Sequence, residues 1–193
     1  MSKGQTGARG PYVKGVQRRQ EILDRTLDVV AHRGIEATSL RAIGEAIGIS
    51  HGTLLHYFES REALLLEVLR ERDTIAQAAL SGIDQVFPWL ESGANNNAKD
   101  PAMVALYTTL LATAVEAGNE SARAFFAERF KSVRADLSGR LRAELAASGR
   151  HPEADLDQVA SLIMAAFDGL QIQWLLDRDI DIAGTIRLIE RVL

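Results

Sequence analysis

The chain has 193 residues, of which 47% are apolar and 25% charged, with a formal net charge of −4; a wholly disordered chain is excluded. It contains no cysteine, which excludes disulfides, thiolate catalysis and cysteine-ligated zinc. No run approaches the ~18 uninterrupted apolar residues of a membrane span, and the basic, glycine-rich start MSKGQTGARGPYVKG has no apolar stretch behind it to make a secretory signal. The expected setting is the cytoplasm, without a membrane partner.

Residues 1–15 read as a flexible basic arm. Lys3, Arg9, Lys14, Arg18 and Arg19 fall within the first 20 residues, which hold no acid, while the remainder of the chain is net acidic. A basic arm on an acidic body points to a polyanionic partner at one end. From there the apolar spacing is helical nearly throughout. Residues 17–33 place Ile22, Leu23, Leu27 and Val30 on one face, and Gly34 is the stop. Thr38 and Ser39 offer an N-cap to a helix of about two turns that Gly48 ends. Ser50 caps a short helix over 51–57, and Ser60 caps a longer one running to about Leu80. A short piece interrupted by Pro88 follows, then the polar stretch GANNNAKD (93–100), expected to be a loop. Asp100-Pro101 starts a helix to about Ala117. Further helices are expected over about 120–147, 156–177 and 182–192. There is no alternating strand pattern, so the fold class is all-α with about nine helices.

The informative segment is TSLRAIGEAIGISHGTLLHYFESREALL, residues 38–66. Two short helices flank the turn Gly48-Ile49-Ser50, the arithmetic of a helix-turn-helix. Ile43 and Ile47 are placed to pack on Leu54 and Phe58. Gly44 and Gly52 read as places where backbone approaches closely. The second helix then offers His51, Thr53, Leu55, His56 and Tyr57 in some combination. His51 and His56 lie five apart, off the i, i+4 spacing of one helical face, so no metal site is expected. No nucleophile elbow, phosphate-cradling glycine loop or zinc motif is present, so neither an enzyme nor a cofactor is expected. A helical adaptor whose head no longer binds nucleic acid is a further alternative; the intact Gly52-Thr53 and Tyr57, with the basic arm, argue against it.

Residues Thr38-Ser39, Ile43-Gly44, Ala46 to Ser50, Gly52-Thr53-Leu54, His56-Tyr57-Phe58 and Ser60 to Leu64 resemble the TetR family of bacterial repressors. Further on, Phe167 to Gln171 and Trp174 to Asp177 look like that family's penultimate helix. The resemblance implies a three-helix DNA-binding head over 16–60. It also implies a helical domain over 61–193 that dimerises and holds a small effector. By position it implies that Ser39 and Arg41 touch the DNA backbone, that Thr53, His56 and Tyr57 lie on the recognition helix, and that Arg61 grips phosphate. Arg18, Ser50, His51 and Gly52 complete the expected DNA-binding set. Two departures stand out: His51 where the family often has Lys or Arg, and Leu55 where it often has Tyr. The electrostatic grip is therefore expected from Lys14, Arg18, Arg19, Arg41 and Arg61. The style of the second domain resembles the branch that includes the choline-responsive regulator, without the ligand being carried over.

The region 156–176 is apolar on almost every side, which buries a helix on both sides. One side is read as domain core and the other as a partner subunit. The expected dimer residues are Ile163, Phe167, Leu170, Gln171, Trp174, Leu175, Ile186 and Ile189, with Leu193 continuing the last stripe. An effector, unidentified and largely apolar, is expected near Trp89, Met103, Tyr107, Thr113, Glu116 and Phe126, gated by the 93–100 loop. The expected partners are thus a palindromic duplex, a second copy of the chain and this small molecule.

Overall fold

A computed structural model describes residues 10–34, 39–149 and 155–191. The arm residues 1–9, the expected cap Thr38 and the terminal Leu193 lie outside that set. Among the described residues there are nine α-helices and no strand. The chain forms two compact units that divide between Glu71 and Arg72.

The first unit is built from α1 (Gly10–Arg33), α2 (Leu40–Ile47), α3 (His51–Tyr57) and the start of α4 (Arg61–Leu80). Helix α1 begins at Gly10, so residues 10–15, read as arm, are helical. Pro11 falls in the first turn, where its missing N–H is an orphan donor in any case. Ile22, Leu23 and Val30 of α1, Ile43 and Ile47 of α2, Leu54 of α3 and Leu64, Leu65 and Val68 of α4 are buried. Thr26, buried among them, donates its hydroxyl to the Ile22 carbonyl at 2.7 Å, so the polar group costs little.

The turn between α2 and α3 is set by glycine geometry. Gly48 takes φ 70° at the end of α2, where its N–H donates to the carbonyls of Gly44 and Glu45. That left-handed conformation costs glycine nothing. Gly44 lets the turn close: the Ile49 N–H donates to the Gly44 carbonyl at 2.8 Å, and a Cβ on Gly44 would sit 2.5 Å from the Ile49 carbonyl oxygen and 3.3 Å from Leu54. Gly52 is different, because a Cβ there meets nothing within 4 Å. The close approach expected at Gly44 is present; the one expected at Gly52 is not made by the chain itself.

The second unit holds the end of α4 with α5 (Val86–Ala98), α6 (Pro101–Ala114), α7 (Glu120–Ala147), α8 (Leu156–Leu176) and α9 (Ile182–Glu190). Its core joins Val86, Phe87, Leu90 and Ala94 of α5, Leu137 and Leu141 of α7, Ala160 and Ile163 of α8, and Ile182 and Ile186 of α9. The expected loop at 93–100 is overturned, since α5 runs on to Ala98. Pro88 is only its third residue, where no intrahelical N–H is needed. Ala94 is buried, and Asn97 donates its Nδ2 to the Gln171 Oε1 at 2.7 Å. A tertiary partner thus holds Asn97 in a helix that asparagine's propensity disfavours. The start of α5 has no cap of its own; Glu144 of α7 accepts the Val86 N–H at 3.1 Å, and Arg140 donates to the Ile83 carbonyl. Asp100 caps α6 with Pro101 behind it, as expected, but the helix ends at Ala114, short of Ala117.

Helix α8 is long and apolar enough by composition to cross a bilayer. Its Ala160 and Ile163 instead join the unit's own core, and its Asp168 and Gln171 bond to α6 and α5.

Substitution of Gly44 by Val is expected to destabilise the first unit by about 1–3 kcal/mol, since the displaced atom is backbone rather than a pliable side chain. A thermal melt at or above the parent midpoint would contradict this account of the turn.

Candidate functional site

The exposed face of α3 follows from its own caps. Ser50 precedes it with extended backbone, accepts the Thr53 N–H at 3.1 Å and shares a hydrogen bond with the Thr53 hydroxyl at 2.8 Å. Leu54 turns inward and is fully buried. With Leu54 inside, His51, Gly52, Leu55 and His56 are exposed, while Thr53 and Tyr57 are half-buried. The Tyr57 ring stands edge-on to His56 at 5.3 Å and also packs beside Phe58. So His51, Gly52 and His56 are presented to solvent. The hydroxyls of Ser50 and Thr53 are engaged with one another.

The flanking cations are used unevenly. Arg41 is exposed on α2, its Nε donating to Glu45 at 3.0 Å; no other polar partner of its guanidinium is found among the described residues. Ser39, expected at the DNA backbone, caps α2 by accepting the Ala42 N–H at 3.1 Å. Arg18 pairs with Glu21 on the surface of α1. Arg61 opens α4, half-buried. Arg19, expected to add to the grip, is half-exposed and engaged within the unit: it pairs with Glu67 at 2.5 Å and lies 5.1 Å over the Phe58 ring. An open hollow lined by Arg41, Gly44, Glu45, Gly48, Ile49, Ser50 and His51 marks the turn.

In the second unit the expected effector residues separate. Tyr107 and Phe126 meet edge-on at 5.5 Å, and Met103 is buried. Trp89 packs against the core of α5, α7, α8 and α9 instead, with Arg140 5.2 Å over its ring. Thr113 donates its hydroxyl to the Leu110 carbonyl at 2.9 Å. Glu116 lies beyond the end of α6 and is exposed. Thr113 and Glu116 therefore do not share one face of α6, because the helix stops before the second of them.

What gathers around Tyr107 is a part-buried polar cluster. Arg129 of α7 holds Asp73 of α4 through two bonds, Nε to Oδ2 at 2.7 Å and Nη2 to Oδ1 at 3.0 Å. Its guanidinium also lies 4.7 Å over the Tyr107 ring. The Tyr107 hydroxyl donates to Asp168 of α8 at 3.0 Å. Gln171 donates to the same carboxylate at 3.5 Å and accepts from Asn97. Burial pushes the Asp168 carboxyl above its ordinary range, against the Tyr107 hydrogen bond and the Arg129 charge. Burial, then the adjacent Asp168 charge, pushes the Tyr107 phenol up strongly. For Arg129 burial pulls downward, but the bonds and charge of Asp73 more than offset it. Asp73, Asn97, Arg129 and Asp168 were not among the expected site residues. A signal existed for one of them: Asp168 is the one charge on α8 beyond its first turn. Its partners are remote in sequence.

The expected dimer residues differ in how far the unit's own core covers them. Ile163 and Ile186 are buried in the unit's own core, and Gln171 is buried in the polar cluster. Phe167, Leu170, Trp174 and Ile189 are partly buried against that core, Arg178 covers the Trp174 ring at 3.8 Å, and Leu175 is half-buried. On α8 and α9 the large apolar side chains left in solvent are Leu162 (64% exposed), Ile172, Leu176 (86%) and Leu188.

Residues 22–68 match the pattern of bacterial regulatory proteins of the tetR family, and residues 90–193 match the C-terminal domain of BetI-type transcriptional repressors. The chain belongs to the TetR family of bacterial transcriptional regulators. The HTH-type transcriptional repressor KstR2 of Rhodococcus jostii is 45% identical over 53 residues, 28% of this chain and 26% of that protein. The match thus spans about a quarter of that curated relative. A TetR-family regulator from Rhodococcus sp. superposes with a TM-score of 0.69 at 22% identity, over 90% of this chain and 95% of that one. A transcriptional regulator from Saccharomonospora viridis, solved in complex with choline, gives 0.71 at 20% identity over 91% and 95%. At those identities the structural likeness carries the fold. The TetR family and these relatives are regulators of transcription, not enzymes.

The Asp168 environment has a pH consequence. A carboxyl raised in the folded state holds its proton where the unfolded chain has lost it, so stability falls as pH rises from the ordinary carboxylate value through the raised one. Asp168→Asn keeps an acceptor for the Tyr107 hydroxyl and removes the charge. Thermal melts of the variant are expected to exceed the parent at neutral pH, with the difference closing in acid. A variant less stable at pH 7 would show that the ionised carboxylate is worth more than its burial costs.

Proposed function

We propose that this TetR-family chain acts in the cytoplasm as a homodimeric repressor that binds a palindromic duplex and releases it on binding a small molecule. The observation that carries the DNA-binding part is the α3 face, where His51, Gly52 and His56 are exposed while Leu54 anchors the helix. Arg41 presents its charge one helix earlier. In this reading Arg18, Arg41 and Arg61 meet phosphates, and His51 and His56 meet base edges in the major groove. Ser39 and Ser50 serve by holding the helices as caps. Two copies of α3 set by a two-fold axis would read half-sites roughly one helical turn apart, about 34–36 Å.

Dimerisation is supported by the apolar side chains that α8 and α9 leave in solvent: Leu162, Ile172, Leu176 and Leu188. Exposed apolar area of this kind is what a subunit interface buries. The effector is placed at Tyr107 and Phe126, beside Arg129 and Asp168. An entering molecule meets one guanidinium and two carboxylates there, with aromatic faces alongside, a balance that favours a cation.

Selection of duplexes from a random pool with the full chain tests the reading. One two-fold-related sequence is expected to be enriched. On it, Arg41→Ala should lower affinity for every sequence and reduce the salt slope by about one, whereas His56→Ala should change which sequences bind. Failure to enrich any sequence contradicts DNA reading by α3.

Sedimentation tests the dimer. Leu176→Asp or Leu162→Asp is expected to give a folded monomer with unchanged helix content. Ile163→Asp is expected to lower the melting midpoint instead, because that side chain belongs to the unit's own core. A stable dimer in both surface variants would place the interface elsewhere.

A further inference from the structure

Helix α3 carries a face that its own fold does not use. Gly52, Leu55 and His56 stand at i, i+3 and i+4, so they share that face, and all three are exposed. Two features of it have no explanation inside the first unit. Gly52 does not adopt a left-handed conformation, and a Cβ there would meet no atom within 4 Å. Alanine would fit and would favour the helix. The contrast with Gly44, where a Cβ meets backbone at 2.5 Å, is direct. Leu55 is the second feature: a branched apolar side chain left 43% exposed among polar neighbours.

Side by side, the missing side chain and the exposed leucine make a notch with an apolar wall. What fills it must be small, apolar and carried on a polar edge. The major groove displays one such group, the 5-methyl of thymine, beside the O4 acceptor. The His56 imidazole, next on the same face, can donate to an acceptor on that edge.

We propose that Gly52 and Leu55 form a methyl-reading notch and that Leu55 is a specificity-determining residue selecting thymine in each half-site. The proposal rests on the reading of α3 as the base-facing helix. It assigns Gly52 to space for a base rather than to the fold.

The test uses the full chain and a duplex selected by it from a random pool, with each thymine replaced singly by deoxyuridine. That exchange removes one methyl and leaves base pairing intact. At one position per half-site, deoxyuridine is expected to weaken binding about fourfold, the worth of one apolar carbon returned to water. Leu55→Ala is expected to bind the thymine and deoxyuridine duplexes equally. Gly52→Ala is expected to melt at or above the parent midpoint yet to lose about tenfold in affinity for the thymine duplex, the scale of one mismatched base pair. Part of that loss should return on the deoxyuridine duplex, because the alanine methyl then occupies the vacated space. A parent indifferent to deoxyuridine at every position overturns the notch. So does a Leu55→Ala variant that keeps the parent's preference. A Gly52→Ala variant equally weakened on both duplexes overturns it too, and assigns Gly52 to the phosphate backbone. In these three cases the selected duplex is still bound and the reading of α3 stands. If no sequence is selected at all, both fall.

Discussion

The second unit depends on a chain of polar contacts that crosses five helices. It runs from Asp73 on α4 to Arg129 on α7, Tyr107 on α6, Asp168 and Gln171 on α8, and Asn97 on α5. Each helix contributes one or two members. Apolar packing alone tolerates helices sliding by a turn, because leucine against leucine is much the same one turn on. A part-buried carboxylate or guanidinium does not, since losing its partner leaves a partly desolvated charge without compensation. The cluster therefore fixes the register of five helices whose apolar surfaces do not specify it. It does so at some cost in stability, which the raised carboxyl of Asp168 records.

The first unit is specified by different means. Its helices are short: α2 has 8 residues and α3 has 7, too few to be stable in isolation. What holds them is local. Serine caps stand before α2 and α3, a left-handed glycine follows α2, and Gly44 brings the two helices together. All of these devices act within a few residues of one another, and for that reason they are legible in the sequence. Ser39, Gly48 and Ser50 could be read directly as caps and stops, and Leu54 and Phe58 as the buried side.

Long-range devices were not legible. Glu144 caps α5 from α7, and Asn97 is kept helical by Gln171. Neither pairing leaves a trace in the local pattern, so the run GANNNAKD reads as a loop when taken alone. The aromatic residues are ambiguous for a related reason. Helical spacing cannot say whether a ring faces a cavity or another ring, and Phe126 is already surrounded by Tyr107, Phe125 and Phe130. Trp89 likewise has Arg140 for a neighbour. Arg19 shows the same limit among charges. Its place in a basic stretch suggests DNA, yet Glu67, 48 residues away, claims it.

Helix α8 shows how composition and position divide the work. Its sequence is apolar on nearly all sides, a property shared by a membrane span, a core helix and a dimer helix. The structure distributes those side chains unequally: Ile163 is fully enclosed, Phe167 and Leu170 are partly covered, and Leu162 and Leu176 are left in water. Asp168 and Gln171 sit between these classes, bonded inward. A span in lipid would have to pair such groups within the membrane; here α5 and α6 supply the partners. Because the polar cluster fixes the rotation of α8 about its own axis, it also decides which leucines face outward. The group that sets the internal register thus also sets which apolar surface α8 leaves in solvent.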